Sequence, residues 1–129
     1  MIFQPDLAKN TKYFRKQAAQ LFSKMRFVST QFIPYLRDEI WRENALHSNN
    51  MAQMLASLVS DIKLIEITQK VDANGIFAIL PPEIIPIIRK EYFFYDWDVS
   101  KGEVRWMTSF DTTEEDILNL VALLKAHLY

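Results

Sequence analysis

Residues 92–110 read YFFYDWDVSKGEVRWMTSF, two β-prone runs on either side of a short polar segment. The runs cover residues 92–98 and 103–110, and their aromatic and β-branched side chains favour strands. The segment between them ends in Gly102, and glycine suits a turn position that needs a positive φ. The stretch therefore predicts a β-hairpin with Gly102 in its turn.

Two shorter strands and a short helix are predicted before this hairpin. LIEI (residues 64–67) and GIFAIL (residues 75–80) have the composition of strands. Pro82 suits the first turn of a short helix over about residues 83–90. Pro86 would be awkward inside so short a helix, because proline lacks the backbone donor.

Four further helices are predicted from cap residues and from apolar residues that recur at three- and four-residue steps. They cover about residues 7–22, with Asp6 as the cap, then residues 23–37, residues 38–60 and a last helix that begins in DTTEED (residues 111–116). Pro34 is expected to kink the second of these helices or to begin a new one.

The longest and the last of these helices carry more specific signals. Met51 and Met54 belong to an apolar stripe of the 38–60 helix, which favours core packing over a substrate-lining role. Asp111 or Thr112 would cap the last helix, and a glutamate of the EED segment that follows would close a capping box.

The order of elements predicts an α+β fold, in which N-terminal helices are followed by a small, largely antiparallel sheet covered by helices. We expect a single domain over residues 1–129, with a helical segment over 6–60 and an α/β segment over 61–129.

Composition excludes several classes of protein. The chain has 129 residues, half of them hydrophobic, and no cysteine, which rules out a disulfide framework and cysteine-based metal sites. Fifteen basic and 16 acidic residues offer no basic face for nucleic acid. No apolar run approaches the roughly 20 residues that span a bilayer, and no secretory signal opens the chain. We therefore expect a soluble, cytoplasmic protein.

Few residues carry recognisable chemistry. With only Gly75 and Gly102 as glycines, the chain has no glycine-rich loop for a phosphate. His47 and His127 are far apart and lack the spacing of metal ligands, so no metal site is predicted. Asp96 and Asp98 are interpreted as turn residues.

Arg105 is the strongest binding candidate. Alternation along its strand places Glu103, Arg105 and Met107 on one face, with Val104 and Trp106 on the other. An arginine among bulky apolar neighbours can be a bidentate receptor for a carboxylate. It can equally pair with an acid on a neighbouring strand. The pattern alone leaves both interpretations open.

Two long runs resemble one family. KMRFVSTQFIPYLRDEIWRENALHSNNMAQMLASLV (residues 24–59) resembles the helices that follow the cofactor-binding domain in low-specificity threonine aldolases. NGIFAILPPEIIPIIRKEYFFYDWDVSKGEVRWMTSFDTTEEDILNLVALL (residues 74–124) is similar to the C-terminal end of the same β-eliminating lyase family. The likeness lies in these long runs and not in a short motif.

The resemblance implies the small domain of a fold-type I, pyridoxal-phosphate-dependent enzyme of the aspartate-aminotransferase type. Such enzymes cleave β-hydroxy amino acids to glycine and an aldehyde. Their large domain binds pyridoxal phosphate through a Schiff-base lysine, and the small domain closes over the substrate. By position, Arg105 matches the arginine that grips the substrate carboxylate, and Arg26 matches one near the cofactor or the neighbouring subunit.

This chain departs from the family in two places. The lysine-bearing Gly-Thr-Lys-Asn-Gly-like segment has no counterpart, so no catalytic residue is expected here. Phe22, Ser23 and Lys24 replace a glycine-rich lead into Met25 and Arg26. We therefore expect a chain without the large domain, inactive by itself and binding no pyridoxal phosphate alone.

Two consequences concern partners. The missing large domain or a neighbouring subunit is the expected partner. Apolar residues near Phe14, Phe22, Phe27 and Phe32 favour a homo-oligomer if they are exposed. The alternative hypothesis is a stand-alone amino-acid-binding or dimerisation module without catalysis.

Overall fold

A computed structural model describes residues 4–129, and its internal contacts divide the chain between Asp38 and Glu39. The N-terminal unit ends at Asp38, and the C-terminal unit covers Glu39–Tyr129. The sequence predicts a boundary between a helical and an α/β segment at residues 60 and 61. In the structure the long helix over residues 40–60 belongs to the same unit as the sheet.

The described part of the N-terminal unit, residues 4–38, contains three helices: α1 (Pro5–Ala8), α2 (Thr11–Gln17) and α3 (Met25–Arg37). The single helix predicted over residues 7–22 is therefore wrong. The Thr11 hydroxyl donates to the carbonyl of Ala8 at the break, and such local side-chain bonds compete with a continuous helix.

The predicted cap at Asp6 is wrong, and Pro34 does not begin a new helix, whereas the kink expected at Pro34 stays a prediction. Gln4 occupies the cap position of α1, and Asp6 lies inside its first turn. Pro34 lies inside α3 near its C-terminal end, and the helix continues to Arg37. The Asp38 N–H donates to the Pro34 carbonyl at 2.9 Å, and this is the last backbone hydrogen bond of the helix.

The C-terminal unit holds the remaining elements. In chain order they are α4 (Ile40–Ser60), β1 (Glu66–Ile67), β2 (Gly75–Ile79), α5 (Ile85–Ile88), β3 (Tyr95–Asp98), a 3-10 turn (Val99–Lys101), β4 (Glu103–Met107) and α6 (Glu114–Leu128). The four strands form one antiparallel sheet in the order β1-β2-β4-β3. The predicted α+β class is confirmed.

One face of this sheet forms the core with the helices. Ile76, Ala78, Val104 and Trp106 are buried from β2 and β4. They belong to the same apolar cluster as buried residues of α4 and α6, which are Met51, Ala52, Leu55, Ala56, Val59, Ile117, Leu120, Val121 and Leu124. Burial of this apolar area is the main driving force for folding of the unit.

The predicted apolar stripe of α4 is only half buried. Met51 is buried and Met54 packs against the core, as predicted. Ile40, Trp41 and Leu46 recur at the same three- and four-residue steps as these methionines, but they lie in the first half of the helix and are exposed. Periodicity identifies a face of a helix but not what covers it.

Proline, glycine and aspartate explain the turns between strands. Pro86 falls in the first turn of α5, where its missing N–H needs no partner, so the helix starts later than predicted. Gly102 has φ 69°, which confirms its predicted turn role.

The Asp98 carboxylate accepts from the Ser100 N–H at 3.0 Å and caps the 3-10 turn, as a turn residue should. Asp98 is also the last residue of β3, whereas Asp96 lies within the strand and pairs with Arg89, so the turn interpretation of Asp96 is wrong.

The cap of α6 lies one residue later than predicted. Thr112 uses its hydroxyl to accept from the Ser109 N–H in the preceding turn. Thr113 is the cap, and Asp116 closes the capping box in place of the predicted glutamate.

Among residues 4–129, no helix combines the length and apolarity that crossing a membrane would need.

We expect Gly102→Ala to destabilise the chain by about 1–3 kcal/mol, because a non-glycine residue at positive φ is strained. A Cβ atom there would also lie 2.7 Å from the Leu80 carbonyl oxygen. Gly75→Ala is the matched control, since its Cβ would lie 4.0 Å from Phe77 and meet no closer atom. Urea unfolding of both variants tests this, and equal stabilities would contradict it.

The capping box makes stability depend on pH. Hydrogen bonds from the Thr113 hydroxyl, and then from its backbone N–H, hold the pKa of Asp116 below its ordinary value of 3.8. A carboxyl with a lowered folded pKa stabilises the fold above its unfolded pKa and loses that contribution as pH falls through the folded value.

We therefore expect wild-type protein to be more stable than Asp116→Asn at pH 7, and the difference to shrink below about pH 3.8. Unfolding in urea at several pH values measures it. Glu115→Gln is the control, because the Glu115 side chain makes no hydrogen bond within residues 4–129. A difference that is the same at pH 7 and pH 3 would contradict the expectation.

Candidate functional site

The second face of the sheet, opposite the core, carries Arg105. Val104 and Trp106 are buried in the core, whereas Arg105 is half-buried and Met107 is exposed on the opposite side of β4. The predicted division of β4 into two faces is therefore confirmed. Because β4 pairs on both edges, with β2 and with β3, its backbone holds Arg105 near the middle of the sheet.

The cross-strand neighbours of Arg105 are aromatic. The register places Phe77 of β2 and Tyr95 of β3 directly opposite Arg105. One of the two interpretations of the sequence was an ion pair between Arg105 and an acid on a neighbouring strand. Neither position opposite Arg105 holds an acid. Within residues 4–129, no carboxylate lies within 4.0 Å of Arg105.

Two aromatic rings of β3 lie under the Arg105 guanidinium. Its Cζ is 5.4 Å from the ring centroid of Tyr95 and 5.5 Å from that of Trp97. Both distances lie within the range of a cation–π interaction. The register of the β3–β4 ladder shifts between Asp96 and Asp98, which makes Trp97 the extra residue of a β-bulge. Trp97 therefore lies beside Arg105 without a partner of its own on β4.

These rings are themselves packed edge-on against other rings. Phe77 and Trp97 have centroids 4.9 Å apart at 67°, and Phe93 and Tyr95 have centroids 5.0 Å apart at 81°. Edge-to-face pairs of this kind are favoured by the ring quadrupole. The result is an aromatic group of four rings, two of which contact the Arg105 guanidinium; its members are Phe77, Phe93, Tyr95 and Trp97.

The acid nearest along the strand is engaged elsewhere. Glu103 lies two residues before Arg105, is buried, and accepts a hydrogen bond from the Thr68 hydroxyl. In contrast, the Arg105 Nε atom is buried and has no hydrogen-bond partner among the described residues. Buried donors of proteins are nearly always paired. Arg89 Nε and Trp106 Nε1 are likewise buried without a partner. The terminal N–H groups of Arg105 are therefore the donors that suit a planar anion.

Arg26, the second predicted site residue, lies in the other unit. It is exposed on α3, and its Cζ lies 5.5 Å from the ring centroid of Phe27. The structure gives it no ion pair within residues 4–129. Its role near a cofactor stays a prediction.

Each histidine contacts a backbone carbonyl oxygen of the chain. His47 Nε2 lies 2.7 Å from the Thr112 carbonyl oxygen, so the ring N–H donates to the segment before α6. His127 Nδ1 lies 3.0 Å from the Leu123 carbonyl oxygen within α6. Residues 4–129 contain no cluster of three side chains that could hold a metal ion.

The lysines do not fit a covalent cofactor site. All of them are exposed: Lys9, Lys12, Lys16, Lys24, Lys63, Lys70, Lys90, Lys101 and Lys125. A lysine that forms a Schiff base needs a lowered pKa, usually from burial or a neighbouring cation. Hydrogen bonds from Lys70 to Asp72 and from Lys101 to Asp98 instead raise the pKa of both lysines.

Sequence reasoning found Arg105 but missed the aromatic group around it. Alternation along β3 could have placed Tyr95 and Trp97 on one face. It could not show that Arg105 lies opposite Tyr95, because that depends on the hairpin register and the bulge.

No family model matches the chain. The low-specificity L-threonine aldolase of Pseudomonas sp. (strain NCIMB 10558) is 39% identical over 127 residues, which cover 98% of this chain and 36% of that protein. The low-specificity L-threonine aldolase of Pseudomonas aeruginosa is 36% identical over 120 residues, covering 93% of this chain and 35% of that protein. The chain thus spans about a third of the length of these curated relatives.

A solved structure agrees with these relatives. Threonine aldolase from Leishmania major superimposes with a TM-score of 0.58 and 26% identity, over 64% of this chain and 25% of that one. Sequence and structure together identify the chain as a homologue of the C-terminal part of low-specificity L-threonine aldolases.

Proposed function

We propose that this chain is the C-terminal, substrate-carboxylate-binding part of a threonine aldolase-like lyase. The complete enzyme would cleave β-hydroxy amino acids to glycine and an aldehyde. The observation that carries the proposal is a half-buried arginine with no acid partner in the described structure, in a homologue of threonine aldolases.

Arg105 has the chemistry that this role requires. A guanidinium can donate two parallel hydrogen bonds to a carboxylate, and such a pair fixes both distance and orientation. An amino acid held by its α-carboxylate has a defined direction for the bonds at Cα. Holding the reacting bond in one orientation contributes to catalysis even though the arginine takes no part in bond breaking.

The cofactor belongs elsewhere in this proposal. Pyridoxal phosphate would be bound by residues outside this chain, because no lysine described here has the environment of a Schiff-base lysine. We therefore propose that the chain alone has no aldolase activity and binds no pyridoxal phosphate specifically. Arg26 is proposed to lie near the cofactor or a neighbouring subunit in the complete enzyme.

The N-terminal unit supports a requirement for a partner. None of its described residues is buried. Its exposed large apolar side chains are Leu7, Tyr13, Phe14, Leu21, Phe22, Met25, Phe27, Val28, Phe32, Ile33, Tyr35 and Leu36. Such surfaces usually mark interaction sites. The partner would be a large domain or a neighbouring subunit, and a homo-oligomer is part of the same proposal.

A stand-alone amino-acid-binding or dimerisation module is the second candidate function. It is favoured by one observation, namely that the aromatic group and Arg105 lie together on this chain and need no lysine. The two functions differ in whether the chain can complete an aldolase.

A chimera tests the first function. This chain replaces the matching C-terminal third of the Pseudomonas sp. aldolase, and we expect the chimera to cleave L-threonine. Arg105→Gln should lower its kcat/KM for L-threonine about a hundredfold, mainly through KM, because a bidentate charged pair is lost.

Arg42→Gln is the matched control for this variant. Arg42 pairs with Glu39 on the surface at 3.2 Å, and exposed pairs contribute little, so activity should stay within about twofold. A folded chimera without activity would favour the module. A folded, active chimera in which Arg105→Gln changes nothing would remove Arg105 from the site.

The absence of a cofactor lysine is tested on the chain alone. Pyridoxal phosphate is titrated, the adducts are reduced with borohydride, and the modified lysines are located by mass spectrometry. We expect non-saturating modification spread over the exposed lysines, because no lysine is activated by burial. Only Lys70 and Lys101 should react more in urea-unfolded chain, since unfolding breaks the ion pairs that raise their pKa. One dominant, saturable lysine that disappears on unfolding would overturn the proposal of a chain without its own cofactor site.

A further inference from the structure

We infer that Tyr95 and Trp97 are positioning residues that hold the Arg105 guanidinium ready for its ligand. This inference rests on the proposed role of Arg105 as carboxylate receptor and goes one step further. We call Tyr95 and Trp97 the aromatic pair.

An arginine that binds a small anion must first be held in place. Its side chain has many rotamers, and ordering them during binding weakens affinity. Proteins often anchor an arginine with an acid. The structure offers a direct comparison, because Arg89 lies 5.0 Å from the Phe94 ring centroid and also pairs with Asp96 at 2.5 Å. Arg105 has the aromatic contacts but no acid within residues 4–129.

An aromatic anchor leaves the hydrogen-bond donors free. A ring attracts the cation through its face, whereas the N–H groups of a guanidinium point outward in the guanidinium plane. An acid would occupy two of those donors and compete with an incoming carboxylate. The aromatic pair can therefore fix the position of Arg105 without blocking its ligand.

The sheet fixes the aromatic pair in turn. Tyr95 lies directly opposite Arg105, and the β-bulge leaves Trp97 as the extra residue between Asp96 and Asp98. Phe93 packs edge-on against Tyr95, and Phe77 packs edge-on against Trp97. Each ring of the aromatic pair thus contacts a further aromatic ring as well as the Arg105 guanidinium.

The same face remains open to a ligand. Tyr95 is 57% exposed and Trp97 is 53% exposed, although both contact neighbouring rings. Two aromatic side chains that served only to pack the sheet would be expected on its buried face, with Trp106. A role in positioning the Arg105 guanidinium explains why Tyr95 and Trp97 lie beside this arginine on the exposed face of the sheet.

The test uses the isolated chain and two NMR readouts. Side-chain signals of Arg105 should show upfield ring-current shifts. Glycine is the probe ligand, and its addition should shift the Nε–H signal of Arg105 in a saturable way. Trp97→Leu should reduce the ring-current shift and weaken glycine binding about three- to tenfold, the range of a single cation–π contact. Tyr95→Leu is the second variant and should act in the same direction.

Three further variants make the result specific. Trp97→Phe keeps an aromatic face and should restore most of the affinity. Trp41→Leu, the same kind of change at an exposed tryptophan of α4, should leave binding unchanged. Arg105→Gln should abolish saturable binding. Thermal unfolding followed by circular dichroism shows which variants are folded.

The outcomes separate this inference from the proposed function. Loss of binding in Arg105→Gln, with unchanged affinity in folded Trp97→Leu or Tyr95→Leu, would overturn the positioning role alone. Unchanged binding in Arg105→Gln, or no saturable binding by the unmodified chain, would overturn the receptor role and the positioning role together. Weaker binding in the leucine variants with recovery in Trp97→Phe supports both.

Discussion

The pairing of β4 on both edges is the constraint on which the C-terminal unit depends. β4 bonds to β2 on one side and to β3 on the other, so its residues have fixed neighbours in both directions. Val104 and Trp106 enter the core against α4 and α6, and this burial fixes which way the strand faces. Arg105 must then project from the opposite face, and no rotation of the strand could bury it without exposing Trp106.

That second face shows how a sheet can present a cation without neutralising it. Both positions opposite Arg105 are aromatic, and the nearest acid along β4, Glu103, accepts from Thr68. Rings attract a guanidinium but cannot accept its in-plane hydrogen bonds as a carboxylate does. The arrangement therefore keeps a charged group in a defined place while its terminal N–H donors remain available to a ligand.

The two units contribute differently to this picture. The C-terminal unit has a continuous apolar cluster that joins the sheet to α4 and α6. The N-terminal unit has short helices and no buried residue among those described, and short helices are marginal without tertiary packing. A chain that spans about a third of its relatives and carries such a unit is well suited to act as part of a larger assembly, which is the proposed function.

Sequence by itself determined what depends on near neighbours along the chain. Alternation assigned the two faces of β4, glycine marked the turn at Gly102, and long similar runs indicated the family. Registers and covering surfaces depend on residues distant in sequence, so only the tertiary structure decided them. The bulge at Trp97, the rings opposite Arg105, the exposed first half of α4 and the division after Asp38 are of this kind. A local pattern fixes the face on which a side chain lies, whereas strand pairing fixes which side chain it meets.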